Sequence, residues 1–244
     1  MNLHNSVKKD GFSMLEILVS LGISAVIMLV IFSFYTFQNT AYTARNNISE
    51  MQQNLRAAMF LMEPEIRSAG YDPTNSSGAS ITAANVSSIT VQRDMNADGT
   101  ISIGVNSEQV IYGLRKLNAG GVGNIDGDAN GDGICDVPPC FIGRNISNPV
   151  TPGGGFQSVG ENIDVLNFVY LDADNNVLTQ PIIDLSLIRS IQVTIVARTE
   201  QRDRTFVNRA AYTNQQGTVL LPAQNDNFHR FGLTTTINCR NLYF

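Results

Sequence analysis

Two short stretches of this 244-residue chain have the residue types and spacing to hold a metal ion. Asp94-Met95-Asn96-Ala97-Asp98-Gly99 and Asp128-Ala129-Asn130-Gly131-Asp132-Gly133 both read D-x-N-x-D-G. This is the first half of an EF-hand loop, where alternate oxygens point inward and glycine makes the sharp turn. The chemistry is the wrapping of a hard cation, calcium above all. The usual bidentate glutamate at the twelfth place is missing, with Val105 and Pro139 in its stead. Glu108, Asp126 or Asp136 would have to supply that carboxylate. The alternative is plain turns, because Asp, Asn and Gly are also the commonest turn formers. Asp126, Asp128, Asp132 and Asp136 crowd into eleven residues and repel unless a cation or solvent screens them. That density puts the second loop ahead of the first. Asp172-Ala173-Asp174-Asn175-Asn176 lacks the glycine and reads as a hairpin turn.

Three cysteines offer redox chemistry: Cys135, Cys140 and Cys239. In an oxidising compartment they imply one disulfide and one leftover thiol. A Cys135–Cys140 crosslink around Val137-Pro138-Pro139 would staple the second acidic loop, although spacing leaves Cys239 a rival partner. Other constellations are absent. His4 and His229 stand apart, and there is no Ser/His/Asp set, zinc spacing or phosphate loop. Gly153-Gly154-Gly155 lacks the lysine of a P-loop and reads as loop. The sequence therefore predicts no enzyme. A net charge of -5 speaks against a nucleic-acid partner.

Glu16 is the remaining oddity. No charge occurs from Ile17 to Ala44, a run long enough to cross a bilayer as a helix. Glu16 stands just inside its edge, where an unpaired carboxylate costs roughly 2.5 kcal/mol or more. Lys8 and Lys9 precede the run as a cytoplasmic anchor would. An ordinary secretory signal ends its apolar core at a small-residue cleavage site. Here no such site closes the run, and the junction Gly11-Phe12 lies ahead of it. A cut after Gly11 would leave the hydrophobic segment on the mature protein and free an amine at Phe12. That amine, in the same chain or on a neighbouring copy, is a partner for Glu16. The alternative is a carboxylate lying at the headgroup level.

The elements behind these residues follow from periodicity. Ile48, Met51, Gln52, Leu55, Ala58, Met59 and Met62 keep a 3.6-residue period, so the helix continues beyond the membrane. Pro64 should kink or loosen it near Phe60, and Ala69-Gly70 should end it. From Phe12 to Arg67 such a helix is about 84 Å long. It cannot be buried in its own domain, so its first half needs lipid or other helices around it. Residues 72–80 read as a loop. Strand alternation marks Ile89–Gln92, Val110–Arg115, Ile191–Arg198 and Phe231–Cys239, with an apolar run at Ile163–Leu171. Thr199 to Asn227, with Arg202, Arg204 and Arg209, reads as an exposed polar loop or a hairpin that contacts a neighbour. The fold class is α+β: a long amino-terminal helix whose carboxy-terminal half packs on an antiparallel sheet. Composition agrees with a folded chain, at 43% hydrophobic and 15% charged residues.

Gly11-Phe12-Ser13-Met14-Leu15-Glu16 resembles the processing motif of type IV pilins and type II secretion pseudopilins. The resemblance implies cleavage by prepilin peptidase after Gly11, methylation of the Phe12 amine, and a docking role for Glu16 in filament assembly. Asn54–Ala58 and Glu65–Pro73 resemble the helix end of PilW-type minor pilins. Ile188–Ile191 and Cys239–Leu242 are similar to that family and to the related pseudopilin J. The organisation so implied is a leader at 1–11, a membrane and filament-core helix at 12–44, an amphipathic continuation at 45–70 and a β-rich extracytoplasmic body at 71–244, in a pilin-like roll. The implied partners are other minor pilins, the major pilin, prepilin peptidase and an inner-membrane assembly platform. The implied location is the bacterial inner membrane, single-pass with a periplasmic body, and then the pilus at the cell surface. A pseudopilin J-like tip subunit is the alternative system, and a tethered binding module the alternative class.

Overall fold

The computed structural model describes residues 11–103, 107–117, 124–146 and 155–242. The expected leader up to Asp10, Val105 and the Gly153-Gly154 pair lie outside the described residues. One helix comes first, α1 (Met14–Arg67). Among the described residues ten strands follow: β1 (Ile81–Ala84), β2 (Ser88–Gln92), β3 (Gln109–Leu117), β4 (Asn124–Asp126), β5 (Cys140–Asn145), β6 (Gln157–Leu171), β7 (Ser190–Arg198), β8 (Tyr212–Thr213), β9 (Val219–Leu221) and β10 (Arg230–Asn238). The fold is α+β, as the periodicity predicts.

The chain divides into two compact units after Asn46. In the first, α1 is apolar and exposed on all sides, from Leu15 and Ile17 through Phe37. Its hydroxyls turn inward on the helix. Ser24, Ser33, Thr36, Thr40 and Thr43 each donate to a carbonyl three or four residues earlier. A helix in an apolar medium must satisfy its polar groups internally in this way.

In the second unit, Met51, Leu55, Ala58, Met59, Met62 and Ile66 form one buried helical face. They join a core with Ile89, Val91, Tyr112, Leu114, Ile142, Leu166, Phe168, Ile191 and Ile195. The sheet order is β1-β2-β3-β5-β6-β7-β10, with β4 also on β3, and every pairing is antiparallel. Alternation along the strands gives the sheet an apolar face on the helix side. Gly160 lets helix and sheet approach, since a Cβ there would stand 3.0 Å from the Ala58 Cβ. The outer face of β6 and β7 has its own cover. Val165 and Val196 cluster there with Leu220 and Leu221 of the small β8–β9 sheet.

Pro64 lacks the N–H that would reach Phe60, yet the helix runs on to Arg67. Gly70 then ends the turn at a φ of +79°, the left-handed conformation that glycine adopts without strain. It also sits against the carboxy-terminal segment, where a Cβ would meet Leu242 at 2.5 Å. Cys239, fully buried, donates its thiol to the Ile66 carbonyl at 3.7 Å. The helix end and the chain end are thus tied together.

Candidate functional site

The amino-terminal junction is open. Phe12 is 85% exposed, and nothing lies within 4 Å of a Cβ placed on Gly11. Ser13 and Glu16 cap the helix reciprocally. The Ser13 hydroxyl accepts from Leu15 N at 3.3 Å, and Glu16 Oε2 accepts from Ser13 N at 3.0 Å. The first amides of a helix have no internal partners, and a Ser-x-x-Glu box supplies them. A carboxylate at this place also faces the positive end of the helix dipole. The spacing Ser13-x-x-Glu16 carries this signal, which sequence reasoning passed over in weighing Glu16 as a charge seeking an amine or lying at the headgroup level. Glu16, Ser20 and Ser24, four apart, share one face of the exposed apolar helix.

The two acidic loops differ. In the second, Asp128 is consumed by its own backbone. Its Oδ1 accepts from Gly131 N and Asp132 N, and its Oδ2 from Gly133 N. Asp132 accepts from Ile134 N and from the Asn130 side chain, while Asn130 Oδ1 accepts from Asp132 N. Asp136 accepts from Ala129 N, and Asp126 from Asp128 N. The Cys135–Cys140 disulfide closes the loop. Cys239 is the free cysteine, and burial pushes its thiol up to about 12.

In the first loop, Asp98 accepts from Thr100 N, Thr100 Oγ1 and Asn96 Nδ2, and Asn96 Oδ1 accepts from Asp98 N. Asp94 and Glu108 are both 0% exposed. Asp94 Oδ2 accepts from Gly99 N at 2.9 Å and Glu108 Oε2 from Ser102 N at 2.7 Å. Their other oxygens, Asp94 Oδ1 and Glu108 Oε1, are buried without a partner. Among the described residues no three His, Cys, Asp or Glu side chains already gather as a metal cluster.

Two buried ion clusters hold the body. Glu65, in the last turns of α1, receives Arg144 through two nitrogens at 3.0 and 2.7 Å, Arg93 at 3.0 Å and the Tyr112 hydroxyl at 2.5 Å. Tyr112 and Arg144 are cross-strand neighbours on β3 and β5. Burial pushes the Glu65 carboxyl up, but the Arg144 and Tyr112 hydrogen bonds and the two arginine charges outweigh it and hold it below the usual range. At the other edge, Arg230 bridges Asp164 at 2.7 Å and Asp226 at 2.6 Å. Burial there wins, and the Asp164 carboxyl is pushed up. His229 faces Asp203 at 3.0 Å and stacks on Phe206. These are scaffold contacts that sequence reasoning did not find.

The family model for prepilin peptidase-dependent protein B matches residues 45–215. The chain belongs to this family. Its match begins at Arg45, so the Gly11–Phe12 junction lies upstream of it. Family membership makes the chain a pilin-type subunit, with an apolar amino-terminal helix long enough to anchor it in a membrane. A type IV-like pilin from Thermus thermophilus aligns with 79% of this chain and 98% of its own at 12% identity, with a TM-score of 0.45. No curated protein matches the sequence.

Proposed function

We propose that this chain is a minor pilin of a type IV pilus, of the PilW kind. Prepilin peptidase cuts it after Gly11 and the Phe12 amine is methylated. The α1 segment holds it in the inner membrane, body outward, until it joins other minor pilins and the major pilin at the assembly platform. Its work is structural and it catalyses no reaction. One observation carries this reading: the prepilin peptidase-dependent body follows a helix that is apolar all round, with Glu16 as the acid of its first turn.

The mechanism follows from Glu16. In the free subunit its carboxylate caps the helix through Ser13 N. In a helix bundle away from water, the charged amine of a neighbouring Phe12 is the stronger partner, because a buried charge demands an opposite one. Exchanging the amide for the amine would register one subunit against the next. Replacing Glu16 with alanine tests this. Cleavage and membrane insertion should persist while assembly falls. Normal pilus number and function in Glu16→Ala would refute the mechanism.

The Ile188–Ile191 and Cys239–Leu242 segments are similar to both families, so the second reading is a pseudopilin J-like tip subunit of type II secretion. Deletion of the gene separates the two: loss of pili supports the first, and loss of secretion with pili intact supports the second.

A further inference from the structure

The loop between β2 and β3 holds two buried carboxylates that the assembly mechanism does not use. Gln92 pairs with Gln109 in the ladder, and Arg93 N donates to the Glu108 carbonyl at 2.8 Å. Asp94 and Glu108 therefore stand on either side of the mouth of one loop. Each is fixed from within it. The amide of Gly99 holds one oxygen of Asp94, and the amide of Ser102 holds one oxygen of Glu108. Asp94 Oδ2 also lies 3.5 Å from Thr74 Oγ1, and each carboxyl group leaves its second oxygen buried and unpartnered.

Such an arrangement is costly without a cation. Buried polar atoms are nearly always paired, and a lone buried charge is worse than a lone dipole. The nearby guanidinium of Arg93 is committed elsewhere, to Ser107 O, Ser68 Oγ and Glu65. Neither Asp94 nor Glu108 takes part in an ion pair with the described residues. The second D-x-N-x-D-G loop serves as an internal control. There the same sequence pattern closes on its own amides, and both oxygens of the leading aspartate are occupied. Glu108 stands three residues beyond the usual twelfth position.

We propose a calcium site built on the buried carboxylates Asp94 and Glu108. Asp94 Oδ1 and Glu108 Oε1 are its two preplaced ligands, and the side-chain oxygens of Asn96, Asp98 and Thr100 close on the ion from the turn. Calcium takes six to eight oxygens in flexible geometry, which suits ligands drawn from a loop, whereas magnesium demands a small, near-ideal octahedron. Three carboxylates against two positive charges also favour the divalent ion. Without the usual twelfth-position glutamate, the affinity belongs with extracellular modules, at about 0.1–1 mM. The proposal stands apart from the pilin reading and survives its failure.

The test uses the chelator-treated full chain in nonionic detergent. Calcium at 10 mM should raise the melting temperature by about 5 °C, and magnesium should do markedly less. Glu108→Gln should abolish the response while melting no lower than the wild type without calcium, because it removes an uncompensated buried charge. Asp128→Asn should leave the response intact. No shift in the wild type, an equal shift with magnesium, or a full response in Glu108→Gln would each overturn the site. If Glu108→Gln does not fold, terbium on the unmutated chain decides. The Tyr71 carbonyl accepts from Asp94 N at 2.7 Å, so tyrosine-sensitised terbium emission that calcium displaces is expected. Its absence rejects the proposal.

Discussion

Replacing Glu65 with alanine removes the one carboxylate that Arg93, Arg144 and Tyr112 all reach from the sheet side of the body. All three charged side chains are at most 15% exposed. Removing one partner of a buried ion pair costs about 3–5 kcal/mol, because the other charge stays buried. Here two guanidiniums and a phenol lose their acceptor. Arg93 keeps Ser107 O and Ser68 Oγ, and Arg144 keeps a long bond to Ser107 Oγ. Those remaining acceptors put the loss at the lower end, about 3 kcal/mol. Urea unfolding of the full chain in detergent, followed by the tyrosine near-ultraviolet signal, measures it. With a slope of about 2–3 kcal/mol per molar, the midpoint should fall by about 1–1.5 M. Glu65→Gln keeps the shape and loses the charge, so it should fall about half as far. A midpoint within about 0.2 M of the wild type for Glu65→Ala would show that the cluster does not anchor α1 to the sheet.

Other perturbations follow from the same contacts. Glu65 is held below its ordinary value in the fold, so its contribution is full above the unfolded value and drains as pH falls through the folded one. The gap in unfolding midpoint between wild type and Glu65→Ala should therefore narrow below about pH 4.5 and stay constant from pH 6 to 8. Asp164 works in the opposite sense, because its raised carboxyl favours the fold at low pH; it is common to both proteins and cancels from the gap. Ala58→Leu should cost about 1–3 kcal/mol by overpacking against Gly160, read as a lower melting temperature. Cys135→Ser with Cys140→Ser should cost about 2 kcal/mol for a loop this short. Cys239 should resist maleimide in the folded wild type and react only on unfolding, given its burial and raised thiol.

Much of the scaffold is legible from periodicity. The apolar run and the spacing of Met51, Leu55, Ala58 and Met62 specify α1 because a helix repeats every 3.6 residues whatever it packs against. Alternation likewise marks β2, β3, β7 and β10, and an apolar run marks Ile163–Leu171 within β6. Strand β5 (Cys140–Asn145) escapes notice because Gly143 interrupts the alternation and both its faces are buried. Strands β1, β8 and β9 are too short to show a period. The ion clusters are invisible for a different reason. Glu65 meets Arg144 seventy-nine residues away only once β3 and β5 place Tyr112 opposite Arg144. Sequence density of aspartates ranks the second acidic loop first, whereas the buried unpartnered oxygens lie in the first. Charge counting cannot see which carboxylates the backbone will consume. The Ser13–Glu16 cap was written in four consecutive residues and was masked by the more conspicuous charge of Glu16.

The amino-terminal junction carries the functional account, and intact-mass and peptide mass spectrometry of the membrane-extracted protein tests it most directly. The account predicts a chain beginning at a methylated Phe12. A chain that retains Gly11 and the residues before it, or one cut elsewhere, contradicts it.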